Sequence, residues 1–533
     1  MYEEVKTTVV MKLTIAMLLM VVLNSTARAE SIYRLNASTT EGVDLTAKDG
    51  FYADRMEGPS SADITFSGEL VVDPSISAAN PFRLIGLGKQ ITVNKLGSGF
   101  HTLPLMLYNA DGVTATSTLK FDANVSWASS FCANEFLDIG AHNVVTFGYG
   151  TDSGQVTLNS REIRIHDGGS LKTSYRAYFG YNRPISISLD NGGEISVKEG
   201  TRIGRQNATT ASLSETLTAF VGITNAMLHT GGVANMMVDV EVYDEPENCR
   251  VVIGGDGVFS AEQACHHGGG GTRFVFDGGK FVSANDSTKA LFNAGGTGYS
   301  GYPHSRIWLE GVNGHPVTIE IGHDRNLATA SGASSISSDR RKVDVLGDGG
   351  FTKRGAGKLL FNKLNGKSVC TYTGPTTILG GGIVVADSEF KPGRGELAVS
   401  DGAFLDLNGF DAEFSGATGK GSVLNSSASA STFTLDYGDK DSALSIAVKE
   451  RISIIKRGTG TLTVSDDALN NTCDITIEEG TVVFSGDSSS YGTVTIKAGA
   501  TLDIRGVKFS CGSLVREQGG TILPKPGFIF CVY

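Results

Sequence analysis

The chain has 533 residues, a formal net charge of −11 and 19 % charged residues, a balance that excludes a phosphate-binding groove, which needs Lys and Arg clustered on one face. Glycine fills 69 positions and proline only 12, and Ser, Thr, Val and Ile are abundant, so the chain is a turn-rich β protein and not a disordered one. A hydrophobic content of 40 % is enough for a continuous core.

At the N-terminus, Met11-Lys12 leads into an apolar run from Leu13 to Leu23 and then to Ala27-Arg28-Ala29 before Glu30. A basic start, a short apolar core and an Ala-x-Ala end make residues 1–29 a secretory signal peptide, too short to cross ~30 Å of hydrocarbon as a helix. With Glu3 and Glu4 upstream, Met11 is the expected true start. The mature chain is expected to be secreted, extracellular or on the outer cell surface, without a transmembrane segment. Residues 30–110 are loosely patterned, with short β-like runs at Ile64-Thr65-Phe66 and Leu70-Val71-Val72, and suit an N-terminal cap or atypical coils.

Over 111–346 a period emerges. Ile165 and Leu189, Gly168 and Gly192, Leu171 and Ile195, and Gly180 and Gly204 are all 24 residues apart. The Gly-Gly pairs predict sharp corners between short strands, and the flanking alternation puts one side of each strand inside. Gly254-Gly255-Asp256-Gly257-Val258 and Asp277-Gly278-Gly279-Lys280-Phe281 carry the step on at about 23. The weakly patterned stretches 207–218 and 328–338 predict loops bulging from the stack.

Over 347–510 a longer repeat is written in the sequence. Lys353-Arg354-Gly355-Ala356-Gly357-Lys358-Leu359 returns as Lys456-Arg457-Gly458-Thr459-Gly460-Thr461-Leu462, an offset of 103 that Cys370 and Cys473 share. Lys353, Arg354 and their copies are expected on the outer face of a corner. Residues 511–533 read as a C-terminal cap or tail.

A coil of ~24 residues is too short for a βαβ unit and suits three strands and three corners. The expected fold is all-β: a right-handed parallel β-helix with loop insertions, in preference to an array of antiparallel sandwiches with turns every 8 to 12 residues. Seven cysteines follow the signal peptide, an odd number. Cys370 and Cys473 lie too many coils apart to pair, and Cys249 with Cys265 or Cys511 with Cys531 are the nearer pairs.

Gly322-His323-Asp324, with His315, resembles a glycosidase His loop only faintly, and Asp466-Asp467 is a carboxylate pair whose members point to opposite faces of a strand. Cys265-His266-His267 lacks the second half of a zinc site, and Gly254-Gly255-Asp256-Gly257 is a lone fragment of a Ca²⁺-binding repeat. Tyr175, Tyr178, Tyr181, Tyr299 and Tyr302 would stack on sugars if they lined one face. No residue is assigned a catalytic, cofactor-binding or metal-ligating role, and no cofactor is expected.

From Gly349 to Gly506 the chain resembles the autotransporter-associated β-strand repeat. The matching segments are Thr352 to Leu359, Tyr372-Thr373-Gly374-Pro375-Thr376-Thr377-Ile378, Gly382-Ile383-Val384-Val385 and Leu405-Asp406-Leu407-Asn408-Gly409. The resemblance implies a bacterial surface-exposed or secreted β-helix without catalysis, adhesin-like or a structural display scaffold. Only 27 residues follow Gly506, too few for the membrane barrel that ends an autotransporter, so the export machinery is unassigned. Extracellular glycans or host or cell-surface components are the expected partners, and nucleic acid is not. The alternative is a carbohydrate-active β-helix enzyme, a polysaccharide lyase or hydrolase, with a groove between Gly140 and Asp324.

Overall fold

The computed structural model describes short strands between 33 and 109, most of 112–341 and nearly all of 342–524. Residues 1–32 and 525–533, with the signal peptide and Cys531, lie outside the described residues, as do the segments 122–135, 205–218, 237–248, 295–303, 310–316 and 330–341. Among the described residues there is no helix. The strands wind as a parallel β-helix in which each pairs with its equivalent one coil away, and three faces recur. In one coil, Glu162–Ile165 lies on face 1, Ser170–Thr173 on face 2 and Arg176–Phe179 on face 3.

Face 2 is continuous through nineteen strands, from Ile64–Phe66 to Thr521–Pro524. Among the described residues its first strand pairs only with Gln90–Val93 and its last only with Thr501–Ile504. The ladder is therefore open along the axis and is not a barrel closed on itself. Face 1 runs from Val43–Asp44 to Lys342–Gly347 and resumes at Ala412–Phe414. Between them Cys370 touches the face through a single parallel bridge to Val345.

Alternation makes the core. Asn143–Phe147 and Ile185–Asp190 bury every second residue, and those residues stack in columns down the axis. On face 1, Ile139, Ile165, Leu189, Ile223 and Ile253 pair in register, coil after coil, and none is more than 2 % exposed. Phe259, Phe274, Phe281 and Phe292 come from all three faces and meet inside, with ring centroids 5.0 to 6.3 Å apart. Each such burial contributes about 1.5–3 kcal/mol.

The register answers the sequence expectations. Ile165 pairs with Leu189 and Leu171 with Ile195, the 24-residue step. Phe259 pairs with Phe281, a step of 22 and not 23. Ala328, expected to open a loop, lies instead in a short strand paired with Phe292, where it is fully buried in the core. The stack also continues past 511 through the strands Phe509–Arg516 and Thr521–Pro524.

The long repeat does not coincide with a whole number of coils. Lys353 lies on face 2 and Leu359 on face 3, whereas their copies Lys456 and Leu462 lie on faces 1 and 2. The element asks only for a strand, a tight corner and a strand, and every corner of the coil supplies that.

Candidate functional site

The corner between faces 1 and 2 brings polar side chains from successive coils together. Asp167-Gly168 and Asn191-Gly192 both have positive φ (54° and 80°, 44° and 83°), the double left-handed turn that Asp-Gly and Asn-Gly favour. The following glycines serve a different purpose: a Cβ at Gly169 would stand 2.4 Å from the Ile139 carbonyl oxygen, and one at Gly193 2.1 Å from that of Ile165. The first glycine makes the bend, and the second lets one coil lie on the next.

At this corner His166 Nε2 is 2.9 Å from Asp138 Oδ1, and Nδ1 is 2.7 Å from Asp167 Oδ2. Asn191 Nδ2 donates to the other Asp167 oxygen at 3.3 Å. Burial works against the charged imidazole, but the bonds to Asp167 and Asp138 outweigh it and raise the His166 pKa. The bond from His166, above all, lowers that of Asp167. Donor atoms of His166, Asp167 and Asp190 lie within 4.8 Å of one another, a grouping able to hold a metal ion. With both ring nitrogens on carboxylates, the imidazole has none left to act as a general base in this arrangement. Nothing in the linear order sets Asp138 beside His166. The available signal was that His166-Asp167 stands one 24-residue step before Asp190-Asn191.

The lysines of the long repeat correct an expectation. Lys353 and Lys456 are fully buried, while Arg354 is exposed. Lys353 fills a slot between Ile319 and Ile378 in a core column, and Lys456 one between Leu435 and Ile477. Their stems continue the aliphatic column, and their ammonium groups satisfy corner carbonyls. Lys353 Nζ donates to Gly355 O at 2.5 Å and Gly380 O at 2.8 Å, and Lys456 Nζ to the carbonyls of Arg457, Gly458 and Glu479 at 2.9, 2.5 and 3.1 Å. Each ammonium thus ties its own corner to that of the next coil. Burial pushes the Lys353 pKa down to about 8 and lowers that of Lys456. The inward parity of Phe351-x-Lys353 and Ile452-x-Ile454-x-Lys456 was legible in the sequence. Arg457 remains partly outside, 2.8 Å from Glu478.

Carboxylates perform a matching task. Asp324, Asp411, Asp441, Asp474 and Asp487 accept the backbone N–H of Lys358, Thr432, Thr461, Thr493 and Lys508 respectively, at 2.6 to 2.8 Å. Each of those amides lies in the following coil, so these side chains cap amides at corners.

The glycosidase-like pair therefore separates. Asp324 caps Lys358, and His323, which is 60 % exposed, pairs with Asp286 at 2.7 Å. His315, Asp466 and Asp467 lie outside the described residues. Cys265 and His266 lie in a face 3 strand paired with Asn235 and Met236, and His267 is outside the described residues. Gly255 has a positive φ of 56°, and a Cβ at Gly257 would come within 2.4 Å of Ile223 O, so Gly254 to Gly257 is another such corner. Tyr178, expected to be exposed, is only 4 % so, and Arg202 lies over its ring at 4.9 Å. Tyr175 is half-buried, and Tyr181, Tyr299 and Tyr302 are outside the described residues.

Cys249 begins a face 1 strand, whereas Cys265 lies on face 3. Cys370 and Cys473 are buried thiols and Cys511 a half-buried one, none of them in a disulfide. Burial raises the Cys370 and Cys511 pKa values, which makes both poor nucleophiles. The sequence matches no model of a known protein family and none of the curated proteins.

Proposed function

We propose that this is a secreted or cell-surface, non-catalytic scaffold that displays loops from a β-helical stalk. One observation carries the reading. The segments 204–218, 237–248, 295–303 and 330–341 all leave a face 3 strand and return to a face 1 strand. Four of the longer steps between described strands thus fall at the same corner of the coil, and such insertions are where solenoids often carry binding loops. Tyr299 and Tyr302 lie in one insertion, and Asp239, Glu241, Asp244, Glu245 and Glu247 in another, a mix of aromatic and acidic groups suited to glycans or to basic cell-surface partners.

The apolar leader and the autotransporter-associated resemblance of 349–506 support export. The tasks of Asp324 and the buried lysines support a structural reading of these charged groups, and among the described residues His323 and Asp324 are drawn to different partners and do not form the pair that the enzyme reading asks for.

The test is to label the protein on intact cells before and after protease shaving. Surface signal that disappears on shaving, with cleavage inside 204–218 or 237–248, is expected. Residence in the cytoplasm, or cleavage of an acidic polysaccharide by the purified chain, would overturn the proposal.

A further inference from the structure

We infer that His166, Asp167 and Asp190 bind one divalent metal ion of the borderline class that takes mixed nitrogen and oxygen donors, Zn²⁺ being the natural probe, and that the ion clamps two successive coils at the Gly-Gly corner. This goes beyond the display reading and does not depend on it.

Three features of the corner point to an ion. The first is the donor set, one imidazole nitrogen and two carboxylates whose ligand atoms lie within 4.8 Å of one another. Zn²⁺ takes such ligands at about 2.0–2.2 Å and leaves a fourth position to water. Ca²⁺ asks for about six to eight oxygens, which these residues do not offer.

The second is Asp138, which is not itself a ligand. Its side chain is only 9 % exposed and comes from the coil on the far side of His166, where it receives Nε2 at 2.9 Å. A carboxylate behind the ring fixes the tautomer with the proton on Nε2 and leaves Nδ1, which faces Asp167, as the nitrogen able to bind an ion. Metal-bound histidines are held in this way, and loss of such an outer carboxylate weakens metal binding about 10–100-fold.

The third is charge. Asp138, Asp167 and Asp190 surround a single imidazole, so even a protonated ring leaves the group net negative, and a divalent ion balances it. The ion takes the place of the hydrogen now shared between Nδ1 and Asp167 Oδ2, while Asn191 keeps its bond to the other oxygen of that carboxylate. The backbone is fixed by the positive φ of Asp167 and by the close approach at Gly169 and Gly193, so ligation requires little reordering. Asp190 lies one position beyond the Ile165–Leu189 pair, so the ion joins the coil of His166 to the next.

The test uses the full chain with Zn²⁺ alone, followed by calorimetric titration and thermal unfolding. Nine histidines and seven cysteines offer other zinc donors, so the comparison is between variants. Asp190→Asn and His166→Gln change side chains with some exposure, and circular dichroism checks that both fold. The expected result is one site fewer, or a loss of at least about tenfold in affinity, in each variant, with Asp138→Asn weakened about 10–100-fold. Zn²⁺ should raise the unfolding temperature of the parent chain and not that of the Asp190→Asn variant. Unchanged stoichiometry and affinity in both ligand variants would overturn the inference, as would the absence of saturable binding or a response to Ca²⁺ alone.

Discussion

The two halves of the stack solve one problem differently. Upstream, successive face 2 partners such as Ser170 and Glu194, Glu194 and Met227, and Lys280 and Thr318 are separated by 24, 33 and 38 residues. Downstream, Thr461, Thr481, Thr501 and Thr521 stack at a constant step of 20. The ladder on face 2 crosses both regions unbroken, so strand register does not depend on coil length. The irregular half has most of its extra residues between a face 3 strand and the next face 1 strand, and it turns corners such as 167–169 and 191–193 with paired glycines. The regular half also turns on positive-φ glycines such as Gly355 and Gly458, and it adds buried lysines and Asp carboxylates at its corners. Closing a longer surface loop costs little, about 0.6 kcal/mol per doubling, whereas a polar group left unsatisfied in a corner costs about 1–3 kcal/mol.

Substitutions at corners should break this comparison most sharply. In Gly193→Ala the new methyl meets a backbone carbonyl that cannot retreat, and a loss of about 3 kcal/mol is expected. It would be read as lost hydrogen-exchange protection across 185–197, and wild-type protection would show that the close approach is not needed. Downstream, Lys456→Met keeps the apolar stem but leaves three carbonyls without their donor, at about 2 kcal/mol. The amides of 475–477 should exchange faster while those of 163–171 do not change. Gly192→Ala, which strains only the positive φ, should cost about 1–2 kcal/mol. A Gly192→Ala loss equal to that of Gly193→Ala would erase the division of labour between the two glycines.

Lys353 gives a pH test of the same corners. Its folded pKa of about 8 lies below the ordinary 10.5, so between these values the unfolded chain binds more protons than the folded one. Stability from this group is full above about 10.5 and is lost as pH falls through about 8. Denaturation of the parent chain and of Lys353→Met should therefore diverge in favour of the parent as pH rises through that window. A difference that is flat with pH would mean that the lysine keeps its ordinary pKa when folded. The smallest effect is expected upstream, where replacing 205–218 with a short Gly-Asn linker should alter stability by less than about 1 kcal/mol while removing any binding carried by that segment.

Much of the architecture was legible in the residues because a stack repeats its constraints. Ile165 and Leu189 could be matched from the sequence alone, since equal spacing of a Gly-Gly corner and its flanking aliphatics has few other causes. Lys353 was misplaced because charge suggested the surface, although its parity with Phe351 pointed inward. Acceptor carbonyls one coil away decided between them, and those are invisible in the linear order. The His166 group was missed for a related reason: Asp138, His166 and Asp190 are ordinary turn residues until the coils are laid on one another.

The sequence by itself determined the β class, the period and the glycine corners, because alternation and backbone conformation are local properties carried by neighbouring residues. Tertiary structure decided which residues share a corner, that the 103-residue repeat steps from one face to another, and that two lysines stand in aliphatic columns. Those outcomes depend on groups some 20 to 40 residues apart in the chain, brought within ~4.8 Å per coil only by the stacking itself.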